Sequence, residues 1–158
     1  MSWNTQNIIR NGSLSDINKI RITYIAMQQA LEFLQSNKEV AFATIEGDKP
    51  KLRMFQIMKI SGSTLYFATA PNKAVYKQLR INSNVELLSI NAGISVRVVG
   101  NAIFDVDQSV CAEIFDTNEV LQRLYPNWES LVYFRLPIKQ IDYYDLNPQP
   151  PVFKHFQL

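Results

Sequence analysis

The chain is poor in the residues on which most small active sites are built: its 158 residues include one cysteine, one histidine and five glycines. A lone cysteine excludes an internal disulfide framework and fits a reducing compartment. Cys111 and His155 lie too far apart in sequence to furnish a zinc site, and the carboxylates fall into no ligand spacing. The glycines form neither G-x-G-x-x-G nor G-x-x-x-x-G-K, which leaves no dinucleotide or nucleoside-triphosphate loop, and G-x-S-x-G is missing too. A net charge of +2 with no basic tract argues against nucleic acid and anionic membrane surfaces as partners. No apolar run approaches membrane-spanning length, and the first residues lack a charged stretch followed by an apolar one. These features predict a soluble, cytoplasmic protein without a signal peptide or membrane segment.

What the chain does hold is apolar residues, 47% of the total, enough for one compact core. Period-two alternation and turn residues predict six strands over residues 40–45, 50–60, 64–68, 85–90, 94–105 and 131–146. Helical spacing predicts an amphipathic helix over 23–35, a helix opening at Asn72, and two short helices within 108–125 that Pro126 ends. The expected architecture is mainly β (α+β): a six-stranded antiparallel barrel, closed or nearly so, with peripheral helices. Residues 1–22 read as an arm anchored by Trp3, with Ser13 or Ser15 capping a short turn. Residues 23–146 read as the domain, and the Pro-rich 147–158 as an extended surface tail.

Face assignments follow from the same alternation. In the fifth strand Val96 and Val98 face one way and Ser95 and Arg97 the other. In the sixth, Val132, Phe134, Leu136 and Ile138 share a face, with Tyr133, Ile141 and Tyr143 opposite and a bulge or edge at Pro137. Two-sided burial on a last strand suggests a partner subunit. Cys111 reads as a small buried hydrophobe, Trp128 as a packing residue and His155 as a residue of the tail.

One stretch is out of place. Asn72 is a good helix N-cap, which puts Lys73 in the first turn, where the helix dipole disfavours a cation and the free N–H groups favour an anion. Arg53 interrupts an otherwise apolar strand and offers the same anion a second positive group.

The order P-x-x-R, G-x-x-L-Y-F-A-T, N-K-x-V-Y-K-Q-L resembles the FMN-binding split-barrel family that includes pyridoxamine 5′-phosphate oxidase, and within it the small nitroimidazole-resistance-like flavoproteins. Pro50, Arg53, Gly62, Leu65 to Thr69, Asn72, Lys73, Val75 to Leu79, Val85, Glu86 and the V-R-V-V-G of residues 96–100 carry the likeness, which spans roughly residues 30 to 146. The resemblance implies a six-stranded split barrel that binds FMN at the interface of a homodimer. It further implies that Arg53 and Lys73 contact the phosphate, Thr69 and Asn72 the phosphate or ribityl chain, and the backbone of Met54, Phe55 and Gln56 the ring. Gln78 is a weaker match, and Arg97 falls near the flavin or the partner subunit. The implied activity is an FMN-dependent oxidoreductase acting on a small molecule with NAD(P)H as reductant; a carrier or sensor that holds flavin or haem without turnover is the alternative. Met58 stands where the oxidase has a lysine, its C-terminal Arg-x-His motif is missing, and so is the histidine typical of the nitroimidazole-resistance proteins.

Overall fold

A computed structural model of the protein describes residues 13–158. The first helix, α1 (Leu14–Ser36), starts well before residue 23. Ser13 and Asp16 close a capping box, and no glycine or proline follows for 23 residues, so the expected short turn and the expected helix are one rod. Its buried residues, Ala26, Ala30, Leu31 and Leu34, all lie in the C-terminal half, which closes one end of the barrel. The rest of the expected arm, residues 1–12 with Trp3, lies outside the described residues.

The strands β1 (Glu39–Glu46) and β2 (Lys49–Gln56) form a hairpin whose turn uses Gly47 at φ 64°. Then come β3 (Lys59–Ser61), β4 (Thr64–Thr69), the helix α2 (Ala74–Ile81), β5 (Asn84–Asn91) and β6 (Ile94–Asn101). Two short helices, α3 (Gln108–Asp116) and α4 (Glu119–Leu124), and a 3-10 turn (Trp128–Ser130) lead into the long β7 (Val132–Asp145) and β8 (Val152–Gln157). The strands run β2-β1-β5-β6-β7-β4-β3, with β8 on β7 and every pairing antiparallel. The result is an antiparallel half-barrel, mainly β.

Eight strands replace the expected six, for two reasons. The segment 50–60 divides at Ile57–Met58, whose N–H groups turn to Lys38 O and Tyr66 O, so that β2 pairs with β1 and β3 with β4. The tail is no loose extension either: β8 adds to β7 from Gln140↔Gln157 to Asp145↔Val152.

A bulge corrects the face assignment on β7. Val99 pairs with Gln140 but Gly100 with Ile138, which leaves Lys139 as an extra residue. The extra residue inverts the alternation, so Ile141 and Tyr143 join Phe134, Leu136 and Ile138 in the main core instead of opposing them. Phe42, Phe67 and Phe134 form its centre, all fully buried, with Phe67 stacked on Phe134 at 5.3 Å. Val96 and Val98 point inward and Arg97 outward, as the alternation predicts. Tyr133 faces a second, smaller core made with Ala68, Cys111, Ile114, Leu121 and Leu131, against which Trp128 packs. Helices of the same chain thus cover the second face of β7, and that burial is no argument for a partner subunit. Burial pushes the Cys111 thiol up, in keeping with an inert hydrophobe.

The Tyr133 hydroxyl is buried with no hydrogen-bond partner among the described residues, and burial, aided by Cys111 and Asp116, pushes it up to about 12. An unsatisfied buried hydroxyl costs about 1–3 kcal/mol, so Tyr133→Phe is expected to leave the urea midpoint unchanged or raise it. A lowered midpoint would show that the hydroxyl has a partner after all.

Turned away from the core, the outer face of β2-β1-β5-β6-β7-β8 is unusually apolar: Leu52, Met54, Ile90 and Phe153 are 71%, 66%, 67% and 61% exposed. Among the described residues no helix is long and apolar enough to cross a membrane.

Candidate cofactor site

Arg53 lies on the inward side of β2 near its free edge and reaches across β1. Its Nη1 donates to Thr44 Oγ1 at 2.6 Å and to the Phe42 carbonyl at 3.3 Å, and its Nη2 to Gln78 Oε1 at 2.7 Å. Thr44 Oγ1 donates to the same Gln78 oxygen at 2.6 Å, and Gln78 Nε2 donates to Glu46 at 3.3 Å. Thr44 and Gln78 are buried, so the guanidinium is gripped by a fixed frame that joins β1, β2 and α2.

Every acceptor bonded to Arg53 is a neutral oxygen. Among the described residues no carboxylate lies within 4.0 Å of it, whereas Arg97 has two and Arg135 one. Burial pulls the Arg53 guanidinium below its ordinary value. A half-buried cation without a counter-charge is costly, and an anion at its open side removes that cost.

The start of α2 differs from expectation by one residue. Lys73, not Asn72, is the N-cap, with no side-chain cap bond. Pro71 and Asn72 are taken up by a turn closed from Lys73 N to Ala70 O at 3.1 Å, which suits proline at its second position and leaves Asn72 outside the helix. No acidic residue lies in the first turn of α2, so a helix start without a counter-charge carries an exposed lysine. Thr69, buried at the end of β4 beside Val132, delivers the chain into this turn.

The other expected residues divide. Phe55 turns into the core, 4.8 Å from Phe42, while Met54 points to the outer face. Gln56 accepts from Asn118 at 3.4 Å, at the junction of α3 and α4. All three belong to a terminal strand of the sheet, so among the described residues one backbone edge of β2 is free of strand pairing. Arg97 does not join Arg53 within one chain: it stands on the outer face of β6, bonded to Asp142 at 2.9 and 2.5 Å and 3.5 Å from Glu86. Thr44 and Glu46 escaped the sequence reading. The one available signal for Thr44 was a hydroxyl at an inward position of an apolar strand. His155, expected in a loose tail, sits on β8 with Nδ1 bonded to the buried Asp142.

An antiparallel half-barrel in which an arginine without a carboxylate partner is gripped by a helix that opens on a lysine points to one class of protein, the split barrels. The family model described as Pyridoxamine 5′-phosphate oxidase matches residues 26–128, and the chain belongs to that family. Among solved structures it is similar to a NimC/NimA family protein of Clostridium acetobutylicum (22% identity over 87% of this chain and 96% of that one, TM-score 0.68). General Stress Protein 26 of Bacillus anthracis is similar too (20% identity, 83% and 97% covered, TM-score 0.69). A third is a pyridoxamine 5′-phosphate oxidase-related, FMN-binding protein of Nostoc punctiforme (16% identity, 84% and 94% covered, TM-score 0.64). At these identities the likeness carries the fold alone. No curated protein matches the chain.

Proposed function

We propose that the chain is a cytoplasmic flavoprotein that binds FMN as a homodimer and reduces a small molecule at the expense of NAD(P)H. The observation that carries this reading is the half-buried Arg53 cation, held only by neutral oxygens, one of them on Gln78 of the helix that Lys73 opens. The FMN-binding description of the Nostoc protein supports the choice of anion. Arg53 and Lys73 take the phosphate, Thr69 and Asn72 the phosphate or the ribityl chain, and the free backbone edge at Met54, Phe55 and Gln56 the ring. Thr44 and Gln78 hold Arg53 in place. FMN when bound supplies hydride and single-electron chemistry; binding, orientation and exclusion of water fall to the chain. The exposed apolar face around Leu52, Met54 and Phe153 supports the dimer, and the buried free thiol of Cys111 a reducing compartment.

Anaerobic mixing of the FMN-loaded protein with NADH and with NADPH tests the reading. The flavin band is expected to bleach faster than that of free FMN with at least one of them. Bound flavin that neither nicotinamide bleaches faster would reduce the protein to a carrier, and a protein that takes up no FMN would end the proposal.

A further inference from the structure

β8 brings the only histidine of the chain onto the outer sheet face, opposite Asp142. Asp142 is 6% exposed; one of its oxygens accepts from His155 Nδ1 and the other from Arg97 Nε and Nη2. Burial pushes the Asp142 carboxyl up, but the bonds from His155 and Arg97 outweigh it and hold the group below the usual carboxylate range. An ionised carboxylate on Nδ1 fixes the tautomer, so the neutral ring presents Nε2 as acceptor and the imidazolium presents Nε2–H as donor. The charged groups facing the ring are Asp142 on β7, Arg97 on β6 and, behind it, Glu86 on β5; Lys154 of β8 turns to the other face, toward Gln29. The side chain of His155 is 48% exposed, so the ring is oriented yet open.

Within one chain this ring is remote from the Arg53 corner. Met54, Ala41, Leu88, Arg97, Asp142 and His155 lie in one row across the sheet. Five inter-strand steps of about 4.8 Å put His155 roughly 24 Å from the β2 edge. Among the described residues both ends of the row are uncovered and apolar, Leu52 and Met54 at one, Tyr144 and Phe153 at the other, where a depression of about 300 Å³ adjoins Arg97 and Asp142. Two twofold axes that keep the strands of both copies aligned with each other let a second copy cover the face. An axis along the row sets Arg97 on Arg97 and His155 on His155, like charge on like. An axis parallel to the strands, between Leu88 and Arg97, sets Arg97 on Leu88, Asp142 on Ala41 and His155 on the β2 edge, and this arrangement avoids that repulsion.

We propose that His155 is a catalytic acid supplied in trans, standing at the cofactor edge of the other copy with Asp142 as its positioning residue. The inference rests on the flavin reading above, and an oriented acid at the cofactor edge suits acceptors that need a proton on oxygen as hydride arrives, which names the substrate class as conjugated carbonyl compounds, quinones among them. The substrate gains a hydride, two electrons with their proton, from the reduced cofactor. Its carbonyl oxygen takes the second proton from His155 Nε2–H, and the neutral imidazole recovers a proton from water.

Mixed dimers test this. One chain carries Arg53→Ala with Lys73→Ala and ¹³C-labelled histidine; the other, unlabelled, carries His155→Gln, whose amide still donates to Asp142. With one histidine per chain, the labelled signal is His155. FMN is expected to shift that signal only after mixing, although the labelled chain has lost its own phosphate contacts. Reduction of 1,4-naphthoquinone is expected to fall about 10²–10⁴-fold in the His155→Gln dimer. Mixing should restore about a quarter of wild-type activity, since half of randomly paired dimers are mixed and each holds one intact site. Asp142→Asn is expected to lower kcat about tenfold or more while leaving KM for the quinone and the Kd for FMN unchanged, a split that a merely structural role would not give. A labelled signal that FMN leaves unmoved in the mixture, or activity not restored by mixing, overturns this inference alone. Failure of the wild-type chain to bind FMN overturns the flavin reading with it.

Discussion

Arg53→Ala is expected to weaken FMN binding about ten- to a hundredfold, because a hydrogen bond to a charged group is worth roughly 1.5–3 kcal/mol. Lys73→Ala should act in the same direction, with a smaller loss, since Lys73 is exposed and no frame holds it. The decisive contrast is with the stability of the cofactor-free protein. There the guanidinium has no counter-charge, and Thr44 and Gln78 keep their own bond at 2.6 Å when it is removed. Arg53→Ala should therefore leave the thermal midpoint of the cofactor-free protein little changed. An arginine kept for structure would behave oppositely, lowering the midpoint and sparing the affinity. Thr44→Val and Gln78→Leu, which loosen the grip without removing the charge, should fall between wild type and Arg53→Ala. Fluorescence titration of FMN with the set measures all of this, and equal affinity for wild type, Arg53→Ala and Lys73→Ala would sink the assignment.

That Arg53 stood out in the sequence, while its frame did not, marks the limit of local reading. A charge inside an apolar strand is visible from its neighbours alone, whereas Thr44 and Gln78 acquire meaning only when β1 and α2 meet across 34 residues of chain. The turn glycines and the period-two runs marked most of the strands. The break at Ile57 was hidden because its cause is distant: the N–H groups of Ile57 and Met58 go to Lys38 and Tyr66, not to a continuing ladder. The one-residue shift at α2 has a local cause that competed with another. Asn72 suits an N-cap, but Pro71 suits the turn before it, and the turn prevailed. His155 looked unattached because nothing near it in sequence holds it; Asp142 does, across the β7–β8 pairing. The inversion on β7 was out of reach for the same reason, since a bulge belongs to a pair of strands and only one of the two carries the extra residue.

That bulge carries the largest expected effect on stability. Gly100 is buried on β6 at the point where the register shifts, and a Cβ there would stand 2.7 Å from the Pro137 carbonyl oxygen and 3.0 Å from Leu136 Cδ1. The leucine could turn aside; the carbonyl cannot. β7 is paired to β4 at this point through Thr64↔Pro137 and Leu65↔Leu136, so moving it away from β6 would pull on the strand beyond. Overpacking of this kind costs about 1–3 kcal/mol for one methyl, so Gly100→Ala should lower the urea midpoint clearly and the thermal midpoint by several degrees. Gly100→Val, which adds two further carbons against the same carbonyl, should go beyond that range and leave little folded protein. Gly47→Ala is the control: its Cβ would meet nothing within 4 Å, and the cost is confined to the left-handed backbone at φ 64°, about 1 kcal/mol. Equal midpoints for Gly100→Ala and wild type would mean that β7 can slide at Lys139. The inward placement of Ile141 and Tyr143 would then not be fixed by the bulge.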